Sequence, residues 1–146
     1  MATVHQTWDP ASITSLLTTE LNSLASAAGS ALGTEYDNAT NCFLYGLFEL
    51  TATFGSSPTA DTTVDLYLVP APDGTNYDDG SATILAGNHI IGGWNIRAVN
   101  TAQKLAMWGV PLPPTKFKLN VLNNTDQAMA ASGNIVKMIP YGLKAA

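Results

Sequence analysis

From Phe43 to Tyr141 the chain alternates apolar and polar residues in short stretches, each closed by Gly, Pro, Asn or Asp. The clearest is Phe48-Glu49-Leu50-Thr51-Ala52-Thr53-Phe54, with Phe48, Leu50, Ala52 and Phe54 on one side and Glu49, Thr51 and Thr53 on the other. Successive side chains of a strand point to opposite faces, so this pattern predicts a strand with one dry face and one facing water or a partner. The same reading places strands over 44–54, 63–69, 82–85, 90–99, 103–110, 115–122, 128–131 and 135–141. Turn signals separate them: Gly55-Ser56-Ser57-Pro58, Pro70-Ala71-Pro72-Asp73-Gly74, Pro111-Leu112-Pro113-Pro114 and Asn123-Asn124-Thr125-Asp126. About eight short strands without interleaved helices predict an all-β chain, a jelly-roll-like β-sandwich. Val64, Leu66 and Leu68, Phe117, Leu119 and Val121, and Val136 with Met138 are the expected core.

Residues 1–41 read differently. Asp9-Pro10 has the form of a helix N-cap with proline in the first turn. After it Ile13, Leu17, Leu21, Leu24 and Ala28 recur at spacings of four and three, the stripe of an amphipathic helix. Its other face is Thr and Ser, so the helix would be marginal alone and would need a surface to lie on. The expected organisation is an N-terminal arm or short helix over 1–41, packed on neighbouring subunits, and a sandwich domain over 42–146.

At 146 residues the chain is long enough for one domain. Its charged content of 12% is about half the usual share. Contact surfaces that stay assembled are depleted in charge, so the composition suits a chain that lives bound to others. The net charge of −5 argues against a nucleic-acid partner, which requires clustered Lys and Arg. Cys42 is alone, which excludes an intrachain disulfide and points to folding in a reducing cytoplasm. No apolar run approaches the roughly 20 residues that span a bilayer, and the N-terminus has no signal-peptide pattern.

Little chemistry is visible. His5 and His89 are far apart and match no zinc-ligand spacing. No Gly-x-Ser-x-Gly elbow occurs, and no carboxylates pair in a recognisable way, so no catalytic residue and no cofactor are expected. Asp73, Asp78 and Asp79, with Asn76 between them, offer oxygen ligands of the kind calcium takes, but the loop fits a polar turn better than a calcium loop. Trp94, Trp108, Tyr45, Tyr67 and Tyr77 could stack on sugar, pack a core or meet a partner. Trp94 follows Gly92-Gly93, where a strand tends to bulge, and is singled out as a contact aromatic. Asn38-Ala39-Thr40 and Asn123-Asn124-Thr125 match the glycosylation triplet, which matters only in a secreted chain.

Phe48-Glu49-Leu50-Thr51-Ala52, the run over 64–77, Gly109-Val110-Pro111-Leu112-Pro113-Pro114-Thr115-Lys116-Phe117-Lys118 and Ala130-Ala131-Ser132-Gly133-Asn134 resemble a family of virion structural proteins encoded by tailed phages and prophages. The resemblance covers roughly residues 15–141, and the proline-rich stretch is its most distinctive part. It implies a small sandwich on the particle and supplies no catalytic residues. Lys104-Leu105-Ala106-Met107-Trp108 departs from it, being more apolar than the charged strand the family would place there. The expectation that follows is a capsid decoration (cement) protein, made in the host cytoplasm and located in the virion. It would be a homotrimer bound to the major capsid protein, with Ile13, Leu17, Leu21, Leu24 and Trp94 at its interfaces. A tail- or fibre-associated protein, and a carbohydrate-binding module using Trp94, Tyr77 and the acidic loop, are the alternatives.

Overall fold

The computed structural model describes residues 6–83, 85 and 89–145. They form ten strands in two antiparallel sheets, the β-sandwich the alternation predicts: β1 (Gln6–Pro10), β2 (Thr14–Leu17), β3 (Ala28–Gly29), β4 (Tyr36–Asp37), β5 (Tyr45–Ala52), β6 (Thr63–Ala71), β7 (Ile90–Asn95), β8 (Gln103–Pro111), β9 (Lys116–Asn123) and β10 (Ile135–Ala145). Sheet A runs β1-β10-β5-β8, with β2 also paired to β10. Sheet B runs β3-β9-β6-β7, with β4 also paired to β9. Alternation sets which side chains meet between the sheets. Phe48, Leu50 and Ala52 of β5, Val64, Leu66 and Leu68 of β6, Phe117, Leu119 and Val121 of β9, and Val136 and Met138 of β10 all lie in one core. Gln103, fully buried, accepts from the Arg97 amide at 2.9 Å and donates to the Arg97 carbonyl at 3.0 Å, closing the β7–β8 connection.

The expected helix over residues 13–28 does not form. Thr14–Leu17 is strand β2, and only Thr19–Leu21 turns, as a single 3-10 turn. The β-branched and hydroxyl residues that weaken a helix here suit a strand instead. A bulge in the β2–β10 register lies between Val136 and Lys137, and Leu16 and Leu17 are both buried. The turn then drops Leu21 into the core, and Ser23 and Ala27 adopt positive φ, which ends any helical course. The four-and-three spacing thus records a chain folding back on itself. Residues 6–37 supply strands to both sheets, β1 and β2 flanking β10 and β3 and β4 flanking β9.

Two further strand expectations change. Residues 128–131 contribute only an isolated bridge, Phe54 to Met129. Ala82, Thr83 and Leu85 are not in strand conformation, and residue 84 lies outside the described residues. Ala82 and Leu85 instead lie against Gly29 of β3, on the outer side of sheet B. Tyr67, Val69 and Asn120, which point away from the core, are nonetheless buried. A Cβ added at Gly80 would lie 3.0 Å from the Val69 side chain, and the Asn120 amide donates to the Ser81 carbonyl at 3.4 Å. The outer side of sheet B is therefore covered around Tyr67, Val69 and Asn120, and sheet A keeps an open outer face.

Candidate functional site

The open face of sheet A carries Tyr45, Leu47, Glu49 and Thr51 of β5, opposite Tyr141, Ile139, Lys137 and Ile135 of β10. At one end it becomes aromatic. Trp8, Pro10, Leu47, Trp108 and Tyr141 line a cleft of about 320 Å³. Trp8 is 62% exposed on β1 and Trp108 79% exposed on β8, the two edge strands, so the indoles stand as walls across the width of the sheet. Tyr141 forms the floor and is held from several sides. Its ring meets Trp8 edge-on at 5.3 Å, stacks on Tyr45 at 5.7 Å, and its hydroxyl accepts the Gly109 amide at 3.0 Å. Gly109 makes this possible: the β5–β8 register shifts beside it, and its φ of +74° lies in the left-handed region that suits glycine at a bulge. Trp108, the residue before it, stands out from the sheet.

The residues singled out from sequence are distributed otherwise. Leu17, Leu21, Leu24 and Trp94 lie in the chain's own core; Ile13 alone of that set is at the surface, 55% exposed. The bulge expected beside Trp94 is present, between Leu66 and Tyr67 of the β6–β7 register, yet the indole points inward. Tyr67 is buried on the outer side of sheet B. Trp108 and Tyr45 do reach the aromatic face, and Trp8 and Tyr141 join them there. Trp8 lies in a stretch whose sequence reads as an arm, so nothing in its local pattern marks it for this face. Tyr141 shares its strand parity with Lys137, which was a usable signal for the outer face.

The acidic loop is a self-contained turn. The Asp73 carboxylate accepts the Thr75 and Asn76 amides at 2.8 and 2.7 Å and the Asn76 side-chain amide at 2.7 Å. Asp78 pairs with His89 at 2.8 Å, and Asp79 is exposed. Among the described residues no three His, Cys, Asp or Glu side chains gather to hold a metal ion; His5 lies outside them. Tyr77 donates its hydroxyl to Glu35, while Lys116 sits 3.1 Å from Glu35 and the Lys118 ammonium 4.6 Å from the Tyr77 ring centre. Burial first, and the Glu35 hydrogen bond and charge after it, push the Tyr77 hydroxyl up to about 12. These contacts fasten the loop to β9 and to Glu35, just before β4.

Hydrogen bonds from the Asn76 amide and side chain, and from the Thr75 amide, hold the Asp73 carboxyl down at about 2. Its folded value is below its unfolded one, so its stabilisation is full above the unfolded value and fades as pH falls through about 2. Carboxyl-carbon NMR should place the Asp73 midpoint near 2, and Asp73→Asn should lower stability at pH 7 but not at pH 1.5. An ordinary aspartate midpoint would contradict the turn geometry.

Both glycosylation triplets are occupied structurally. The fully buried Asn38 amide donates to the Phe43 and Pro113 carbonyls at 2.9 and 2.8 Å, and Asn123 is equally buried. No helix of the described residues is long and apolar enough to cross a membrane.

No family model and no curated protein matches the chain. Among solved structures it is similar to the CBM36-1 domain of a multidomain xylanase from the hindgut metagenome of Trinervitermes trinervoides, at 11% identity and a TM-score of 0.47 over 92% of this chain and 96% of that one. Turnip yellow mosaic virus matches at 13% identity and a TM-score of 0.41, over 100% of this chain and 83% of that one. The N-terminal cellulose-binding domain of Cellulomonas fimi β-1,4-glucanase C matches at 11% identity and a TM-score of 0.35, over 86% and 74%. At these identities and TM-scores the likenesses carry no inference about what this chain binds.

Proposed function

We propose that this chain is a structural protein of a phage particle, a decoration protein that binds the outside of the assembled capsid and stabilises it. The observation that carries the proposal is how the fold brings together two of the four stretches on which the family resemblance rests. Residues 64–77 form β6 and the Asp73 turn, and residues 109–118 form the end of β8, the proline turn and the start of β9. They lie side by side. Pro70 faces Phe117, Ala71 faces Lys116, and the Thr115 hydroxyl donates to the Ala71 carbonyl. Asn38 ties in the proline turn through Pro113.

One end of the sandwich is thereby fixed by prolines and by side-chain bonds to backbone. A surface fixed before contact loses little conformational freedom on docking, which favours a small protein that must bind many equivalent places. The mechanism is linkage: a ligand selective for the expanded shell shifts the balance toward it by its differential affinity. A homotrimer on the major capsid protein would add avidity, since the second and third contacts become intramolecular. The chain needs no cofactor and performs no catalysis in this role.

Co-sedimentation tests it. Purified protein mixed with heads lacking it should bind to a fixed stoichiometry and leave purified tails unbound. Binding to tails with none to heads would make it a tail-associated protein instead.

A further inference from the structure

The residues that line the aromatic cleft on sheet A lie outside the 64–77 and 109–118 stretches, and its dimensions say what it fits. Trp8 and Trp108 belong to strands three spacings apart, roughly 14 Å. Along the strands the apolar surface lasts three rows, Trp8 with Leu143, Tyr45 with Tyr141 and then Leu47 with Ile139, before Glu49 faces Lys137. At about 7 Å per row the apolar area is roughly 14 by 21 Å, on the order of 300 Å². A specific protein interface buries about 800 Å² on each partner, so this patch is too small to hold a protein by itself. Its volume of about 320 Å³ falls instead at the lower end of the range for small-ligand sites, about 300–1,000 Å³.

We propose that this cleft is a glycan-binding site that takes one or two pyranose rings of a polysaccharide. The inference goes beyond shell attachment and uses a different surface. A pyranose presents a face of C–H groups and a rim of hydroxyls. The negative faces of the Trp8, Trp108 and Tyr141 rings receive its C–H groups, Trp8 and Tyr141, 75° apart, meeting different sides of the sugar. The rim meets polar groups further along the same face, first Glu49 and Lys137 and then Thr51 and Lys104, which are paired in register. The rings are set before the ligand arrives, Tyr141 being pinned by Trp8, Tyr45 and the Gly109 amide. Preorganisation of this kind matters for a ligand that surrenders hydrogen bonds to water for each it makes with the protein. On a particle surface such a site would retain the virion on carbohydrate.

The test is affinity electrophoresis of the full chain in native gels cast with a soluble β-1,4-glucan, a xylan, a galactomannan or no polysaccharide. It is read beside co-sedimentation with heads. Retardation is expected in at least one polysaccharide gel, with Trp8→Ala and Trp108→Ala each weakening it about tenfold, the loss of one aromatic contact. Both side chains are largely exposed, so the melting temperature and head binding should hold, and Trp108→Phe should recover part of the retardation. Mobility unchanged in every gel, or retardation indifferent to both alanine variants, would overturn the glycan site. Loss of head binding in the alanine variants without any retardation would also overturn it, assigning the cleft to the shell. Failure of head binding by the unaltered protein alone would strike the decoration role and leave the glycan site standing.

Discussion

Deleting residues 1–41 should abolish cooperative folding of what remains. The deleted stretch carries β1 and β2, which cover β10, and β3 and β4, which cover β9. It also carries Leu16, Leu17, Leu21 and Leu24, all buried in the common core. Each buried leucine is worth about 1.5–3 kcal/mol, so the four together supply roughly 6–12 kcal/mol. A domain's whole margin is about 5–15 kcal/mol, and the truncation would also expose the core surface those side chains cover. Loss of hydrogen-bonding neighbours along β9 and β10 adds to the deficit. Circular dichroism and urea titration of residues 42–146 should show no cooperative transition. A sharp transition with native-like spectra would mean that residues 42–146 form an independent domain, as the sequence alone suggests.

Asn123→Ala should cost about 2–4 kcal/mol, because it leaves buried polar groups without partners. Asn123 is fully buried at the end of β9. Its amide nitrogen donates to the carbonyls of Leu24, Ala25 and Gln127 at 3.1, 3.1 and 2.9 Å. Its carbonyl oxygen accepts the Thr125 hydroxyl at 2.7 Å and the Thr125 amide at 3.2 Å. One side chain thus joins the chain entering β3 to the turn leaving β9. Alanine can replace none of these bonds, and water has no access to replace them either. Chemical denaturation should show a lower midpoint with an unchanged slope, while Asn100→Ala, at an exposed position, should stay within about 0.5 kcal/mol of the parent. A midpoint shift as small for Asn123→Ala as for Asn100→Ala would refute the role given to this amide.

The strands legible in the sequence are those with one wet face. β5 alternates half-buried and buried residues throughout, and its expected bounds of 44–54 differ from the observed Tyr45–Ala52 by one and two residues. Alternation is visible there because solvent reaches one side. The N-terminal segment was misread because a helical stripe and a strand followed by a turn can place apolar residues at the same spacings. Only the three-dimensional neighbours, Val136 and Met138 of β10, decide between them. The cover over sheet B was equally hidden, although Leu66-Tyr67-Leu68-Val69 is apolar on both faces and so marks a strand buried on both sides. The aromatic cleft could not be assembled from sequence, since Trp8, Trp108 and Tyr141 come from three distant strands. Trp94, the aromatic singled out instead, follows a real bulge but faces the core.

The decoration role is tested most directly by the disruption temperature of purified heads that lack this protein, followed calorimetrically as the protein is added. Binding confined to the intact shell stabilises it by mass action, so the temperature should rise with added protein and level off once the sites on the shell are filled. A disruption temperature that stays the same at every concentration would contradict the role.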